Sequence, residues 1–159
     1  MTDKQIKFLR LAVIEGLPYD EIASKIGLDR KEFASWWEEL KDERTRLTLI
    51  RDKWKIKCPE LKFDEFENWH ESAVKKCFYC HITEEDIEAL WQKSPDLTKR
   101  NRGRKLEIER LEPNLAYSNM QNLVYSCYWC NNAKTDTFTK DEFIEVGKVF
   151  QKIWQNRLK

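Results

Sequence analysis

Net charge is nearly absent from these 159 residues, because 29 Lys and Arg stand against 28 Asp and Glu to leave +1. No whole-molecule field therefore draws the chain toward nucleic acid, and any such affinity has to come from local clustering. Long apolar runs are missing too: none approaches the length needed to span a bilayer, and the opening MTDKQIKFLR lacks the apolar core and small-residue cleavage site of a signal peptide. The expected compartment is the cytoplasm, where five cysteines are thiols or metal ligands before they are disulfides. There is no internal repeat and no low-complexity segment.

What is present argues for a folded chain. A mean hydropathy of −0.76 with 36% charged residues is polar for a globular protein, yet 13% aromatics and seven Trp are incompatible with disorder. The length suits one compact domain, or two small ones that each need help with stability. One basic cluster stands out, KRNRGRK at Lys99 to Lys105. It reads either as a solvated loop or, from its place beside the motifs below, as a phosphate-gripping one.

The first 45 residues read as three helices. DKQIKFLRLAVIEG sets Ile6, Leu9, Val13 and Ile14 on one stripe and stops at Gly16. YDEIASKIG follows, and then LDRKEFASWWEEL, where Asp29 and Glu32 have capping-box spacing. Phe33, Trp36, Trp37 and Leu40 then form a core-facing side. Residues 46–62 are a charged, helix-compatible stretch that Cys58-Pro59 interrupts, the expected linker. From residue 63, DEFENWHESAVKK reads as a helix capped by Asp64 and running into Cys77. TEEDIEALWQK is a helix with Thr83 and Asp86 at capping-box spacing. Residues 139–157 form a long amphipathic helix capped by Thr139 with Glu142, expected to bury Phe143, Ile144, Val149, Phe150, Ile153 and Trp154.

The strongest signal is a pair of C-x-x-C knuckles, CFYC at Cys77 and Cys80 and CYWC at Cys127 and Cys130. Two knuckles complete the four-sulfur tetrahedron that structural Zn²⁺ prefers, and such a closed shell has no open position for substrate. A redox C-x-x-C would need one pair in a thioredoxin-like setting, which is absent. Cys58 is left over without a role. Any chemistry has to sit elsewhere.

The middle helices of the first segment resemble a helix-turn-helix, most like those of sigma-factor-type and recombinase-type domains, with Ala23 allowing close approach and Gly27 the turn. The resemblance implies that the helix from Arg30 enters the major groove with Arg30, Lys31 and Ser35 outward. Glu38 and Glu39 oppose this, and a plain three-helix bundle is the competing reading.

Residues 77–136 resemble the HNH (ββα-metal) endonuclease family, in the subset where two C-x-x-C knuckles bind zinc. The resemblance rests on LEIERLEPNLAYSNMQNLVYSCYWCNNAKTD, Leu106 to Asp136: a strand, a loop, a second strand, a cysteine pair and a helix. It implies an α+β, mostly helical chain: a helix-turn-helix-like domain (1–45), a linker or helix (46–62), and a zinc-stabilised HNH-like domain (63–159) with core 77–136 and C-terminal helix 139–157. By the same resemblance the catalytic positions are Glu109, Arg110, Asn122 and Asn131. Glu109 and Asn131 would hold a catalytic Mg²⁺ or Mn²⁺ through oxygen, and Asn122 would pin the loop between the strands.

Two departures from the family stand at the end of the first strand. Arg110 replaces the usual histidine, in a variant written Asp-Arg-x-Asp, and guanidinium cannot act as a base, though it can hold a phosphate bidentately. Its plainer role is an ion pair with Glu107 or Glu112. Glu109 replaces the usual aspartate and displaces the carboxylate by about an ångström. His81, Tyr117 and Glu112 are the substitute bases on offer, and His70 reads as structural.

The functional expectation is an HNH-type DNA endonuclease. Nucleic-acid contacts would come from Arg30, Lys31, Arg100, Arg102, Arg104, Lys105 and Lys134, with duplex DNA as partner and a symmetric homodimer through the C-terminal helix suiting duplex cleavage. The alternatives are a non-catalytic DNA-binding protein on a degenerate HNH scaffold and a zinc-stabilised protein-interaction module.

Overall fold

A computed structural model describes residues 1–159 and divides them into two compact units, Met1–His70 and Glu71–Lys159. The fold is α+β and mostly helical, with a single two-stranded antiparallel sheet. No helix is long and apolar enough to cross a membrane.

The first unit opens with α1, Asp3–Leu9, whose N-terminus is closed by a reciprocal Thr2–Gln5 capping box. It continues into a π-helical turn, Arg10–Ile14. That turn shifts the phase of the apolar stripe. Phe8, Leu9, Leu11 and Val13 are buried, while Ile6, placed on the stripe by sequence, is exposed. Next come α2, Tyr19–Ile26, and α3, Arg30–Glu39. Gly27 ends α2 in the left-handed region at φ 62°, donating its N–H to Ala23 O, and Asp29 with Glu32 caps α3 reciprocally.

The expected core face of α3 is only half realised. No residue of that helix is fully buried and Trp37 is 37% exposed; Phe33, Trp36 and Trp37 instead close edge-on over Phe8 at centroid distances of 5.3, 5.8 and 6.4 Å. Leu40 just beyond is buried.

Residues expected as a linker form α4, Lys41–Lys57, which buries Leu47 and Ile50. Its Trp54 indole donates to Leu61 O at 2.8 Å. In α5, Phe63–Ser72, Glu67 receives Arg10 at 2.6 Å and Arg46 at 3.1 Å. These ties draw most of α5 into the first unit, so the compact division falls at residue 70 and not at 62. Asp64 lies inside the first turn of α5, where it pairs with Arg10 at 2.8 Å, and does not precede the helix as a cap. The helix also stops at Ser72, short of Cys77.

The second unit holds α6, Glu84–Lys93, then β1, Leu106–Arg110, and β2, Leu123–Cys127, followed by α7, Tyr128–Lys134, and α8, Lys140–Leu158. Capping boxes at Thr83–Asp86 and Thr139–Glu142 start α6 and α8. The strands pair from Leu106↔Cys127 to Arg110↔Leu123. Period-two alternation then puts Leu106 and Ile108 on one face and Glu107 and Glu109 on the other, beside Val124 and Ser126. The first knuckle joins the sheet through Phe78 N–H donating to Tyr125 O at 2.8 Å.

Burial along α8 is narrower than the sequence pattern suggests. Phe143, Gly147 and Trp154 are buried, but Val149 and Ile153 are exposed at 57% and 38%. Gly147 is where α8 presses on the first knuckle, since a Cβ there would lie 2.6 Å from Tyr79 O. The absent side chain sets that approach.

Candidate functional site

The four knuckle thiols converge. The Sγ atoms of Cys77, Cys80, Cys127 and Cys130 lie within 4.8 Å of one another and all four residues are buried, a set that can hold a metal ion such as zinc. Zn–S bonds of about 2.3 Å in a tetrahedron place sulfurs about 3.8 Å apart, and Cys80 and Cys127 stand at 3.6 Å. The donor set fits. Four thiolates at this spacing need positive charge between them.

Local geometry explains the convergence. His81 takes φ 61° directly after the first pair and its N–H returns to Cys77 O at 2.9 Å, closing that knuckle. Cys127 ends β2 and is also the N-cap of α7, with Cys130 N–H on its sulfur. The cluster thereby fixes α7 against the hairpin.

That docking brings Asn131 to the carboxylate face of β1. Its amide donates to Glu107 Oε2 at 2.5 Å. Glu109, one pleat further on the same face, is 7% exposed, and its Oε1 accepts the Arg110 N–H at 2.8 Å. An open cleft of about 410 Å³ lies beside the Glu107–Asn131 pair, lined also by Arg102, Gly103, Tyr128 and Asn132. Glu109 does not line it. A larger apolar hollow elsewhere in this unit, about 480 Å³ and bounded by Val74, Phe78, Tyr79, Val124 and Ile144, has few convergent polar groups and is the weaker site on chemistry.

Arg110 points to the opposite face from Glu109. Its guanidinium donates to Asp136 at 3.1 Å and to Leu115 O at 3.4 Å and lies 4.7 Å over the Tyr117 ring. The ion pair with Glu107 or Glu112 considered from sequence is replaced by one with Asp136: alternation carries Glu107 to the other side of the strand, and Glu112 lies in the loop beyond it. Its Nε is buried without a partner. Asn122 is buried at the loop's exit, with Oδ1 accepting Glu112 N–H at 2.8 Å and Nδ2 donating to Glu112 O at 3.0 Å.

The basic residues separate into groups. Arg30, Lys31, Arg100, Arg102, Arg104 and Lys105 are exposed. Lys134 is not. It is fully buried and its ammonium donates to Arg110 O at 3.2 Å, so it braces the end of β1 and has no path to a phosphate outside. Apolar burial of α7's inner face accounts for this, since Cys127, Cys130 and Lys134 share one side of the helix. Of the substitute bases, Tyr117 sits under Arg110, and His81 lines two other hollows but not the Glu107 cleft.

Sequence reasoning does not single out Glu107, Tyr128 or Asn132 as site residues. The signal for Glu107 is available in the strand's alternation, which pairs it with Glu109. The approach of Tyr128 to Gly103 and the place of Asn132 in the cleft have no local signature.

No family model matches the sequence. A UPF0251 protein of Methanosarcina acetivorans is 36% identical over 55 residues, 35% of this chain and 46% of that protein, so the chain spans under half the length of that relative. Among solved structures, the rare-cutting HNH restriction endonuclease PacI superposes with a TM-score of 0.51 at 24% identity, covering 76% of this chain and 78% of that one. At that identity the likeness speaks for the fold: an HNH-like α+β architecture carrying a four-cysteine site able to hold a metal such as zinc.

Proposed function

We propose that this protein is a divalent-metal-dependent DNA endonuclease of the HNH kind, with Zn²⁺ in the four-cysteine site as a structural ion. One observation carries the reading. On an HNH-like fold, an amide on α7 meets a carboxylate on β1 at 2.5 Å, at the edge of an open cleft that the basic loop also borders. Mg²⁺ or Mn²⁺ would be held in this cleft by Glu107 and by Asn131, whose amide oxygen and nitrogen exchange places by a simple flip, and Glu109, one pleat away and outside the cleft, would have to turn toward it to serve as a further ligand. The ion supplies Lewis-acid stabilisation of charge on the scissile phosphate.

The chain's own residues do the rest. Asn122 clamps the loop between the strands, so the end of β1 is fixed when a phosphate arrives. Lys134 holds the Arg110 carbonyl and thereby the turn of backbone whose amide holds Glu109. Arg110 remains protonated and cannot take a proton, and lack of a positioned base costs about 10²–10⁴ in rate. A slow nuclease is the expectation. At the other end of the chain, the α2–Gly27–α3 turn supports a helix-turn-helix reading, with Arg30, Lys31 and Ser35 toward duplex DNA. A homodimer would pair two sites for the two strands.

The test is supercoiled plasmid with Mg²⁺ or Mn²⁺, comparing the wild type with Glu107→Gln, Glu109→Gln and Asn131→Ala. Nicking should fall at least about tenfold in Asn131→Ala and in one of the two carboxylate variants. Nicking unchanged in all three rejects the site. A non-catalytic DNA-binding reading is favoured by one observation, the engagement of Arg110 with Asp136, and it predicts duplex binding without nicking in any metal.

A further inference from the structure

The loop before β1 carries Arg100, Arg102 and Arg104 within five residues, and Arg102 and Arg104 are placed differently. Arg104 is engaged: its Nε and Nη2 donate to Asn101 Oδ1 at 2.9 and 2.6 Å, and its guanidinium lies 4.0 Å over the Trp91 ring. Lys105 lines a separate recess with Glu84 and Glu88. Arg102 is different. Its backbone is tied down, the N–H donating to Thr98 Oγ1 at 3.0 Å and the carbonyl accepting the Thr98 hydroxyl at 3.0 Å. Its guanidinium has no protein partner, and the residue lines the cleft together with Glu107, Asn131 and Asn132.

Gly103 holds this arrangement. It sits at φ 83°, its carbonyl accepts the buried Trp91 indole N–H at 3.0 Å, and its α-carbon presses on Tyr128 so closely that a Cβ would come within 3.0 Å of Tyr128 Cβ. The loop is therefore pinned to α6 on one side and α7 on the other. Asn131 already occupies Glu107 Oε2, and no protein group in the cleft holds Arg102. An arginine with a fixed backbone and a guanidinium without a protein partner, at the rim of this cleft, is suited to a bidentate anion, the non-bridging oxygens of a phosphodiester.

We propose that Arg102 is the phosphate-positioning residue of this cleft and that Arg104, in the same basic run, serves only to brace the loop. The proposal rests on the nucleic-acid reading above and assigns that site one specific contact. It is tested with the zinc-loaded full chain and a short fluorescent DNA duplex, by anisotropy across a salt series without Mg²⁺. Arg102→Gln should weaken binding about tenfold or more and flatten the slope of log K against log salt by about 0.9. Arg102→Lys should recover the slope while keeping part of the affinity loss, since a point charge replaces the fork. Arg104→Gln should lose clearly less affinity than Arg102→Gln while melting at a lower temperature.

Both side chains are exposed, so folding survives either change. Equal losses in Arg102→Gln and Arg104→Gln, or unchanged affinity and slope in Arg102→Gln, overturn the proposal while leaving DNA binding intact. No duplex binding by the wild type at low salt overturns the nucleic-acid reading itself, and the assignment with it.

Discussion

Replacing Gly147 with alanine should destabilise the second unit, against the usual sign for that substitution. Alanine inside a helix is ordinarily favoured over glycine by about 1 kcal/mol. At this position the added Cβ would sit 2.6 Å from Tyr79 O and 2.8 Å from both Tyr79 C and Cβ. All three atoms are backbone or at the root of a side chain, and Tyr79 lies between Cys77 and Cys80, so none can swing aside. Either α8 retreats from the knuckle by most of an ångström, loosening Phe143 and Trp154, or the knuckle deforms. Overpacking of this kind costs about 1–3 kcal/mol and outweighs the propensity gain. A net loss of about 1 kcal/mol lowers the melting temperature by about 4–8 °C for a unit of this size. Circular-dichroism melts of the zinc-loaded protein, with metal content measured alongside, decide the matter. A melting temperature equal to or above wild type would show that α8 does not press on the knuckle as described.

Cys127→Ser should remove a metal ligand and the α7 N-cap at once, so we expect loss of bound zinc and of near-UV circular dichroism from the second unit; full retention of both would refute the site. Asn122→Ala deletes two hydrogen bonds and strands the Glu112 N–H and carbonyl, costing about 2–3 kcal/mol in denaturant titrations. In the first unit, the Arg46 hydrogen bond holds Glu43 below its ordinary 4.5. That contribution is complete above the unfolded value and vanishes as pH drops through the folded one, so Glu43→Gln should lower stability at neutral pH and converge with wild type in more acidic solution. Burial pushes the Cys58 thiol up to about 11, so metal-loaded native protein should leave it unlabelled by a neutral-pH disulfide reagent while denatured protein reacts promptly.

Cysteine spacing, the S/T/D-x-x-E/D capping boxes and the strand alternation are legible because each is a local pattern with a local cause. The knuckles foretell the thiol cluster, and the caps foretell where α3, α6 and α8 begin. What escapes is decided by neighbours far along the chain. Ile6, on the stripe of α1 by spacing, is left exposed because no neighbouring element covers that side chain, and the π turn at Arg10–Ile14 is invisible in a period of 3.6. Residues 46–62 look like a connector because charge hides Leu47 and Ile50. Lys134 looks like a phosphate contact because sequence does not show which side of a short helix the thiols draw inward. Glu107 is passed over in favour of its neighbour two residues on, and Arg110's attachment to Asp136 depends on where the chain emerges from α7.

Cys127 belongs to a strand, a helix cap and the sulfur quartet together, and this makes the quartet a gauge of hairpin register. Sliding β2 by a single residue would turn Cys127 to the wrong side and carry it out of reach of its three partners, while bringing different side chains opposite Glu107 and Glu109. A misaligned hairpin therefore cannot close the quartet, and only the correctly paired chain offers four sulfurs to one ion.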